Sequence, residues 1–283
     1  MVTFTIMGKI YKVKGVNLMK YEAIVCDLDG TLLNEKHKLS DETKEVIKKV
    51  RDTGRKIFIA TGRHHLDALE IKKQLGLDSY LISSNGARIH DENNIEVYER
   101  NIDDETAKFI LNTEVSSEVE RHIYTDTKWY VEEDKSEYLE FHKESGFLHE
   151  VKDFEKIKNE KWIKIFFISK NQEELLRLEN FFEKEIGEKV SITLSGPECL
   201  ELMAKDVTKG EAVKNIMSKL NILLENTMAF GDGLNDYEML NEVGKGLLMG
   251  NCAVRLREKL PNNEMIGKNT ENGVANYLRE KFL

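Results

Sequence analysis

Cysteine and proline are rare in this chain of 283 residues, which contains three cysteines and two prolines. The cysteines, Cys26, Cys199 and Cys252, are odd in number, lie far apart and form no C-x-x-C pair. This spacing favours neither a disulfide framework nor a zinc site, and it is typical of a protein from a reducing compartment. We therefore expect a cytoplasmic protein.

Long apolar runs and excess positive charge are also missing. No stretch approaches the ~20 apolar residues that a membrane-spanning helix needs, and residues 1–20 lack the apolar segment of a signal peptide. The 51 acidic residues outnumber the 42 Lys and Arg, so the formal net charge is −9. Such a chain repels polyanions, and we expect neither a nucleic-acid nor a membrane partner. An anionic substrate would need a cation or a few well-placed Lys and Arg.

Short apolar runs alternate with amphipathic stretches in the first part of the chain. The pattern predicts strand, helix, strand, helix and strand, in this order, at residues 21–26, 40–54, 56–60, 64–76 and 80–86. The first helix should begin after Ser40, because serine is a preferred N-cap residue. This alternation is typical of an α/β fold with a doubly wound parallel sheet, which binds ligands at the carboxyl ends of its strands.

The alternation stops after residue 87 and returns near residue 196. The interval is predicted to hold a hairpin, strands and helices, at 88–99, 103–115, 121–132, 135–144, 161–169 and 171–186. Mixed antiparallel strands and helices suggest an inserted α+β unit. The α/β pattern then resumes with predicted elements at 208–220, 226–230, 236–243, 246–249 and from 272.

We therefore divide the chain into a core of residues 20–87 and 196–283, an inserted α+β domain of residues 88–195, and an N-terminal extension of residues 1–19. The extension has three possible interpretations. It could be disordered, it could add an edge strand, or it could precede an alternative start at Met19. The sequence does not decide the oligomeric state, so a monomer and a small homo-oligomer both stay open.

Four short motifs with polar side chains fall where strands end or helices begin. They are Asp27-Leu28-Asp29-Gly30-Thr31 after the first strand, Thr61-Gly62-Arg63 after the second, Lys209 at a helix start, and Gly231-Asp232-Gly233-Leu234-Asn235-Asp236 after the strand at 226–230. All four could meet in one crevice at the edge of the parallel sheet.

Carboxylates brought this close repel one another, so a shared crevice makes sense with a cation between them. Ligands that are all oxygen suit Mg²⁺ better than zinc or copper. A lysine, a threonine hydroxyl and loop N–H groups would then hold the oxygens of a phosphoryl group. This combination indicates phosphoryl chemistry with an aspartate as the nucleophile.

At these motifs the sequence resembles the haloacid dehalogenase (HAD) superfamily. The stretches "DLDGT", the threonine of "ATGR", the lysine of "VTKG" and "GDGLND" match its four motifs in order, and "SNGA", "YEMLNEVGKGLLMGNC" and "NTENGVANYL" look like its Cof-type branch. The resemblance covers residues 20–86 and 196–283. It implies a Rossmann-like core, a type IIB α+β cap, and a Mg²⁺-dependent phosphatase acting on a small phosphorylated metabolite, mostly a sugar phosphate in this branch.

The resemblance also implies a role for each matched residue. Asp27 is expected to be the nucleophile, and Asp29 the acid and base whose backbone carbonyl also binds Mg²⁺. Thr61 and Lys209 are expected to hold phosphoryl oxygens. The remaining expected site residues are Asp232 and Asp236 at the metal, Asn235, which orients the phosphoryl group, Gly30 in the phosphate-binding loop, and Asn85 and Gly86 at the junction of core and cap.

Asp29 separates two classes of function. A P-type ATPase, whose aspartyl phosphate must persist, carries threonine at this position, so an acid/base here favours a phosphatase. The alternatives are a phosphoacceptor or ligand-sensing protein on the same scaffold, and a phosphomutase or phosphoglycolate phosphatase.

Other residues have less specific interpretations. Arg63 could contact the substrate or pair with a surface acid, and Glu201 could face either the site or the solvent. His64 and His65 show no metal-ligand spacing, and we expect them to be solvated or to face a helix. Three aromatic residues are expected to pack within the inserted domain: Trp129, Tyr130 and Trp162.

Overall fold

The computed structural model of the chain describes residues 2–6, 9–13, 20–134, 145–157 and 160–283. These residues form a short N-terminal hairpin, an eight-stranded core sheet and a six-stranded second sheet. The hairpin pairs β1 (Val2–Ile6) with β2 (Lys9–Val13), and the two strands form a sheet of their own. The helix predicted at 135–144 lies outside the described residues.

The core sheet contains six parallel strands and an antiparallel hairpin. Its strands are β3 (Ala23–Cys26), β4 (Lys56–Ala60), β5 (Leu81–Ser83), β6 (Arg88–His90), β7 (Glu96–Glu99), β14 (Thr227–Gly231), β15 (Lys245–Leu248) and β16 (Glu264–Met265). The spatial order is β16-β15-β14-β3-β4-β5-β6-β7, with β6 and β7 antiparallel to their neighbours. The strands β3, β4 and β14, which directly precede three of the four motifs, are therefore central and adjacent.

Helices cover both faces of the core sheet. One face packs on α1 (Asp41–Asp52), α2 (His65–Gln74) and α8 (Gly273–Phe282), and the other on α5 (Lys209–Lys219), α6 (Tyr237–Glu242) and α7 (Val254–Lys259). Side chains of β3 alternate between the two layers, with Ile24 facing the first and Val25 the second. Ser40 caps α1 as predicted, because its side chain accepts a hydrogen bond from the N–H of Thr43. The α/β fold class is confirmed.

The second sheet is largely antiparallel and carries helices on one face. Its strands are β8 (Glu120–Tyr124), β9 (Trp129–Val131), β10 (His149–Val151), β11 (Lys164–Ile168), β12 (Val190–Gly196) and β13 (Cys199–Ala204), in the spatial order β10-β9-β8-β11-β13-β12. The helices α3 (Asp104–Asn112) and α4 (Gln172–Ile186) bury the face that carries Ile165 and Phe167. The opposite face carries Trp129 and Phe166.

Two elements lie in a different sheet from the one that the sequence pattern suggested. The predicted hairpin at 88–99 forms, but it continues the core sheet, where Ile82 pairs with Ile89. The strand β13 lies in the second sheet, paired with β11 and β12, although the predicted core segment begins at residue 196. Both differences have one cause, since a short turn makes a strand pair with the strand that precedes it. A short turn joins β5 to β6, and another joins β12 to β13. The boundaries of the two domains stay a prediction.

No helix in the described part of the chain is both long and apolar enough to cross a membrane.

Candidate active site

The loops after three neighbouring strands converge at the carboxyl end of the core sheet. Asp27 directly follows β3, Thr61 follows β4, and Asp232 follows β14. The ladder continues into these loops, because the N–H of Asp27 donates to Phe230 O (3.1 Å) and the N–H of Thr61 donates to Ile82 O (3.0 Å). Parallel pairing therefore fixes the loops side by side and brings the predicted motifs together.

Lys209 lies at the start of α5 and links two of the motifs. Its Nζ donates to Asp27 Oδ1 (2.6 Å) and to Asp236 Oδ1 (2.7 Å), and the side chain is fully buried. Burial alone would lower the pKa of Lys209, but the two carboxylates outweigh it and hold the pKa above its usual range. The lysine is therefore a permanent positive charge within the site.

Asp27, Asp232 and Asp236 form a tight carboxylate cluster. One oxygen from each lies within 4.8 Å of the others. Burial raises the pKa of Asp27 to about 7 against the opposing charge of Lys209, and burial together with Asp27 and Asp236 raises the pKa of Asp232 well above its usual range. The raised pKa values mean that the ionised form of both carboxylates is disfavoured without a cation, and a bound cation would favour it. This all-oxygen donor set fits Mg²⁺.

The last motif is held rigidly by its own backbone. Asp236 Oδ2 accepts hydrogen bonds from the N–H groups of Asp232 and Gly233, both at 2.9 Å. Thr31 Oγ1 donates to Asp232 Oδ1 at 2.9 Å, so the first and last motifs are joined directly. Asp236 thus has one oxygen on the backbone and the other on Lys209, and it orients the cluster.

Asp29 turns its carboxylate away from the cluster. Arg63 donates to both of its oxygens at 2.6 Å, and His37 Nδ1 lies 3.0 Å from Asp29 Oδ1. Burial would raise the pKa of Asp29, but the charge and hydrogen bonds of Arg63 outweigh burial and hold the pKa well below its usual range. Asp29 is therefore ionised in this arrangement, and Arg63 is itself anchored by Asp67 at 2.9 Å.

The remaining predicted residues contact one another across the neighbouring loops. Thr61 Oγ1 accepts a hydrogen bond from the N–H of Arg63 (3.1 Å), and the N–H of Asn85 donates to Thr61 O (2.9 Å). Asn235 Nδ2 donates to Asn85 Oδ1 at 3.0 Å. Gly86 adopts a φ of +100°, and a Cβ there would lie 2.6 Å from Thr208 O, so only glycine lets this turn pack on the start of α5.

A cavity of about 560 Å³ opens above these residues and extends to the second sheet. Predicted residues on its wall include Asp27, Asp29, Gly30, Thr61, Asp232 and Asn235. The second sheet contributes five further residues, of which only Glu201 was considered for the site from the sequence: Tyr124, Trp129, Lys164, Phe166 and Glu201. The cavity is therefore bounded by both sheets and suits a small molecule.

For three residues the structure bears on alternatives that the sequence left open. Arg63, left out of the predicted site, pairs with Asp29. Glu201 is buried in the cavity wall rather than exposed to solvent, and it pairs with Lys164. His64 is fully buried, which rules out the solvated alternative, and it stacks on Phe147 at 4.2 Å between ring centroids.

The three aromatic residues are all buried, as expected. Tyr130 and Trp162 belong to the apolar cluster beneath α3 and α4. Trp129, one position away from Tyr130 along β9, points to the opposite face and reaches the cavity. The period of two along a strand explains this split, although the sequence alone did not indicate which face would be functional.

Comparison with known families and structures places this geometry in a wider context. Residues 24–278 match the family described as haloacid dehalogenase-like hydrolases. A Haemophilus influenzae protein with a provisional phosphatase name is 37% identical over 266 residues, which is 93% of this chain and 98% of that protein. A Yersinia pestis protein named HMP-PP phosphatase is 34% identical over 258 residues, 91% of this chain and 94% of that one. The structure of a haloacid dehalogenase-like hydrolase from B. subtilis superposes on this chain with a TM-score of 0.81 at 29% identity. The superposition covers 94% of this chain and 100% of that chain.

Proposed function

Because the chain belongs to the haloacid dehalogenase-like hydrolases and is a phosphatase of that family, we propose that it hydrolyses a small phosphorylated metabolite through an aspartyl phosphate on Asp27. The observation that carries this proposal is the cluster of Asp27, Asp232 and Asp236, two of which, Asp27 and Asp236, pair with the buried Lys209. Such a cluster is costly to build, since buried charges lose their hydration. A phosphoryl group and a cation would satisfy all of its members at once.

In the first step, an Asp27 oxygen attacks phosphorus while the bond from phosphorus to the ester oxygen breaks. Asp27, Asp232 and Asp236 would hold Mg²⁺, which when bound screens the negative charge between the carboxylate and the phosphoryl oxygens. Lys209 and Thr61 would hold the oxygens on phosphorus, because Lys209 Nζ lies 2.6 Å from Asp27 Oδ1 and Thr61 lines the cavity together with Asp27. The transferred group is then an acyl phosphate on Asp27.

Asp29 would handle both protons. The first step requires it to protonate the departing alkoxide, and the second requires it to deprotonate the water that attacks the acyl phosphate. In this structure Arg63 holds Asp29 ionised, which is the form needed for the second step. For the first step the carboxylate must leave Arg63 and take up a proton, so release from Arg63 would be part of substrate binding.

We propose that the second sheet acts as the cap and that the aromatic part of its cavity wall, Tyr124, Trp129 and Phe166, selects the alcohol. A volume of about 560 Å³ accommodates a sugar or another small ring. A sugar phosphate is the substrate that the resemblance to the Cof-type branch favours. HMP-PP, the compound in the name of the Yersinia pestis relative, is the competing candidate.

The test is phosphate release from purified protein at neutral pH, with Mg²⁺ and with EDTA. The panel contains sugar phosphates, phosphoglycolate, nucleotides, HMP-PP and p-nitrophenyl phosphate, and Asp27→Asn is the control. Release that needs both Mg²⁺ and Asp27 would support the proposal, and the ranking of rates would identify what the cavity selects. A stable, acid-labile phosphate on the folded protein without turnover would favour the phosphoacceptor interpretation instead. Phosphate returned to a different hydroxyl of the same sugar would indicate a mutase.

A further inference from the structure

A continuous chain of hydrogen bonds crosses from the second sheet to the core loops. Lys164 Nζ donates to Gly62 O (2.9 Å) and to Glu201 Oε1 (2.5 Å). Glu201 Oε2 in turn accepts from Asn85 Nδ2 (2.5 Å), and Asn85 Oδ1 accepts from Asn235 Nδ2 (3.0 Å). The second sheet therefore bonds to the loop after β4, to the turn after β5, and through that turn to the last catalytic motif.

The ion pair at the centre of this chain is buried and well satisfied. The side chains of Lys164 and Glu201 are 3% and 5% exposed. Lys164 Nζ also lies 4.8 Å and 4.7 Å from the ring centroids of Tyr124 and Phe166, which favours the ammonium ion electrostatically. A buried ion pair is weak evidence for stability, because hydrophobic residues would often serve as well. Its presence calls for a role other than packing.

That role is suggested by what the pair touches in the core. Gly62 is the residue between Thr61 and Arg63, and its carbonyl is fixed by Lys164. A Cβ on Gly62 would lie 3.1 Å from Asn85 Oδ1 and 3.6 Å from Glu201 Oε2, so the glycine is packed directly against the hydrogen-bonded chain. A shift of the second sheet would therefore move the loop that carries both the threonine and the arginine.

We propose that Lys164 and Glu201 are positioning residues, which hold the loop of residues 61–63 and the side chain of Asn85 in the geometry needed for phosphoryl transfer. The two residues lie on neighbouring strands, β11 and β13, and their mutual bond stays within the second sheet. The bonds to Gly62 and Asn85 are the ones that cross to the core. Closure of the second sheet would thus complete the catalytic site as well as cover it. This inference rests on the proposed function and adds a role for the second sheet in the chemical step.

The first test is the pair of variants Lys164→Met and Glu201→Gln. We expect kcat to fall about 10- to 100-fold, since a displacement near 1 Å at a catalytic group can cost about 100-fold in rate. The fold loss should be the same for p-nitrophenyl phosphate and for the best sugar phosphate, because the loop acts on the phosphoryl group that both share. A residue that contacted the alcohol would instead raise KM and would affect the two substrates unequally, and that result would overturn the proposal.

Two control variants and a double variant distinguish loss of positioning from loss of folding. Lys170→Met and Glu173→Gln make the same charge changes at exposed positions of the second-sheet domain, and we expect kcat to be unchanged. The double variant Lys164→Met/Glu201→Gln leaves no buried charge without a partner, so its stability should recover relative to Lys164→Met. A positioning role predicts that kcat stays low in the double variant, whereas a purely structural role predicts that kcat recovers with stability.

Hydrogen exchange gives a readout that does not depend on turnover. The Arg63 N–H donates to Thr61 Oγ1, and the Thr61 N–H donates to Ile82 O, so both amides report on the loop. We expect faster exchange in a peptide spanning residues 58–66 for Lys164→Met and for the double variant, with the control variants matching the unsubstituted protein. Unchanged exchange would contradict the positioning role even if the protein released no phosphate. Failure of the unsubstituted protein to release phosphate would count against the proposed function alone.

Discussion

The two sheets carry functional side chains in different ways. In the core sheet they follow the ends of strands, where Asp27, Thr61 and Asp232 extend into loops. In the second sheet they lie in the strands themselves, where Lys164 and Glu201 occupy one face. Parallel strands end at the same edge of a sheet, so the chain direction determines where the side chains after them lie. Which side chains share one face of a sheet depends on the register of all its strands. In the mechanism that we propose, the core supplies the chemistry and the second sheet holds the core loops.

The electrostatics of the two regions also differ. The core cluster brings three carboxylates together, two of them paired with one lysine, and the pKa of Asp27 is raised to about 7, chiefly through burial. The second sheet pairs one lysine with one glutamate, so its charges balance without a further ion. In the mechanism that we propose, the core cluster also binds a cation and a phosphoryl group, whereas the ion pair in the second sheet needs no further ligand. Substitutions should therefore have larger effects in the core.

The largest effect is expected for Asp27→Asn at the end of β3. Loss of the nucleophile should reduce turnover about a thousandfold or more, because the asparagine amide does not form the acyl phosphate. Steady-state phosphate release with excess Mg²⁺ measures this loss, and circular dichroism checks that the amide variant is folded. Turnover within tenfold of the unsubstituted protein would contradict the role of Asp27 as the nucleophile and, with it, the proposal that the core sheet supplies the chemistry.

Removing the central lysine should produce the largest change in stability. In Lys209→Met, the carboxylates of Asp27 and Asp236 lose their buried partner, and we expect the free energy of unfolding to fall by about 3–5 kcal/mol without added metal. Urea unfolding monitored by fluorescence measures the change. Adding Asp27→Asn should recover part of the loss by removing one unpaired charge. A loss below about 1 kcal/mol would mean that the cluster is far better hydrated than its burial indicates.

The pairing of Arg63 with Asp29 should be visible as a pH dependence of stability. A carboxyl whose pKa is lowered by folding stabilises the protein above its unfolded pKa of about 3.9, and the stabilisation is lost as the pH falls toward the folded value. Arg63→Met removes the cause of the lowering. The stability difference between the two proteins should therefore be larger at pH 7 than at pH 3, as measured by urea unfolding. A difference that does not vary with pH would show that Arg63 stabilises by packing alone.

The smallest effect is expected at an exposed contact between the two regions. Arg255 of α7 donates to both carboxylate oxygens of Glu179 on α4, at 3.1 and 3.2 Å. Exposed ion pairs contribute little, and Glu179→Gln should change the free energy of unfolding by under about 1 kcal/mol. It should also leave kcat unchanged, unlike Glu201→Gln. A matching loss of kcat would mean that any bond between the two regions holds the loops, rather than the buried ion pair specifically.

The same contrast explains how much could be predicted from the sequence. The core strands and the motif residues that the structure brings together were predicted because each motif follows a short apolar run, such as "AIVC" before Asp27. Lys164 was not predicted, and Glu201 was left open between the site and the solvent, because β11 and β13 are buried on both faces and the alternation that marks a functional face disappears. Arg63 was missed for another reason, since a basic residue after a strand pairs with an acid that only the folded chain brings near.

The most direct test of the account is detection of phosphate bound covalently to Asp27. The reaction is stopped with acid during turnover in Mg²⁺, and the peptides are examined by mass spectrometry. Asp29→Ala should accumulate the phosphorylated peptide containing Asp27, because the base that activates the hydrolytic water is missing. Asp27→Asn should show no such peptide. Phosphate release by the unsubstituted protein with no label on Asp27, in either that protein or Asp29→Ala, would contradict the account.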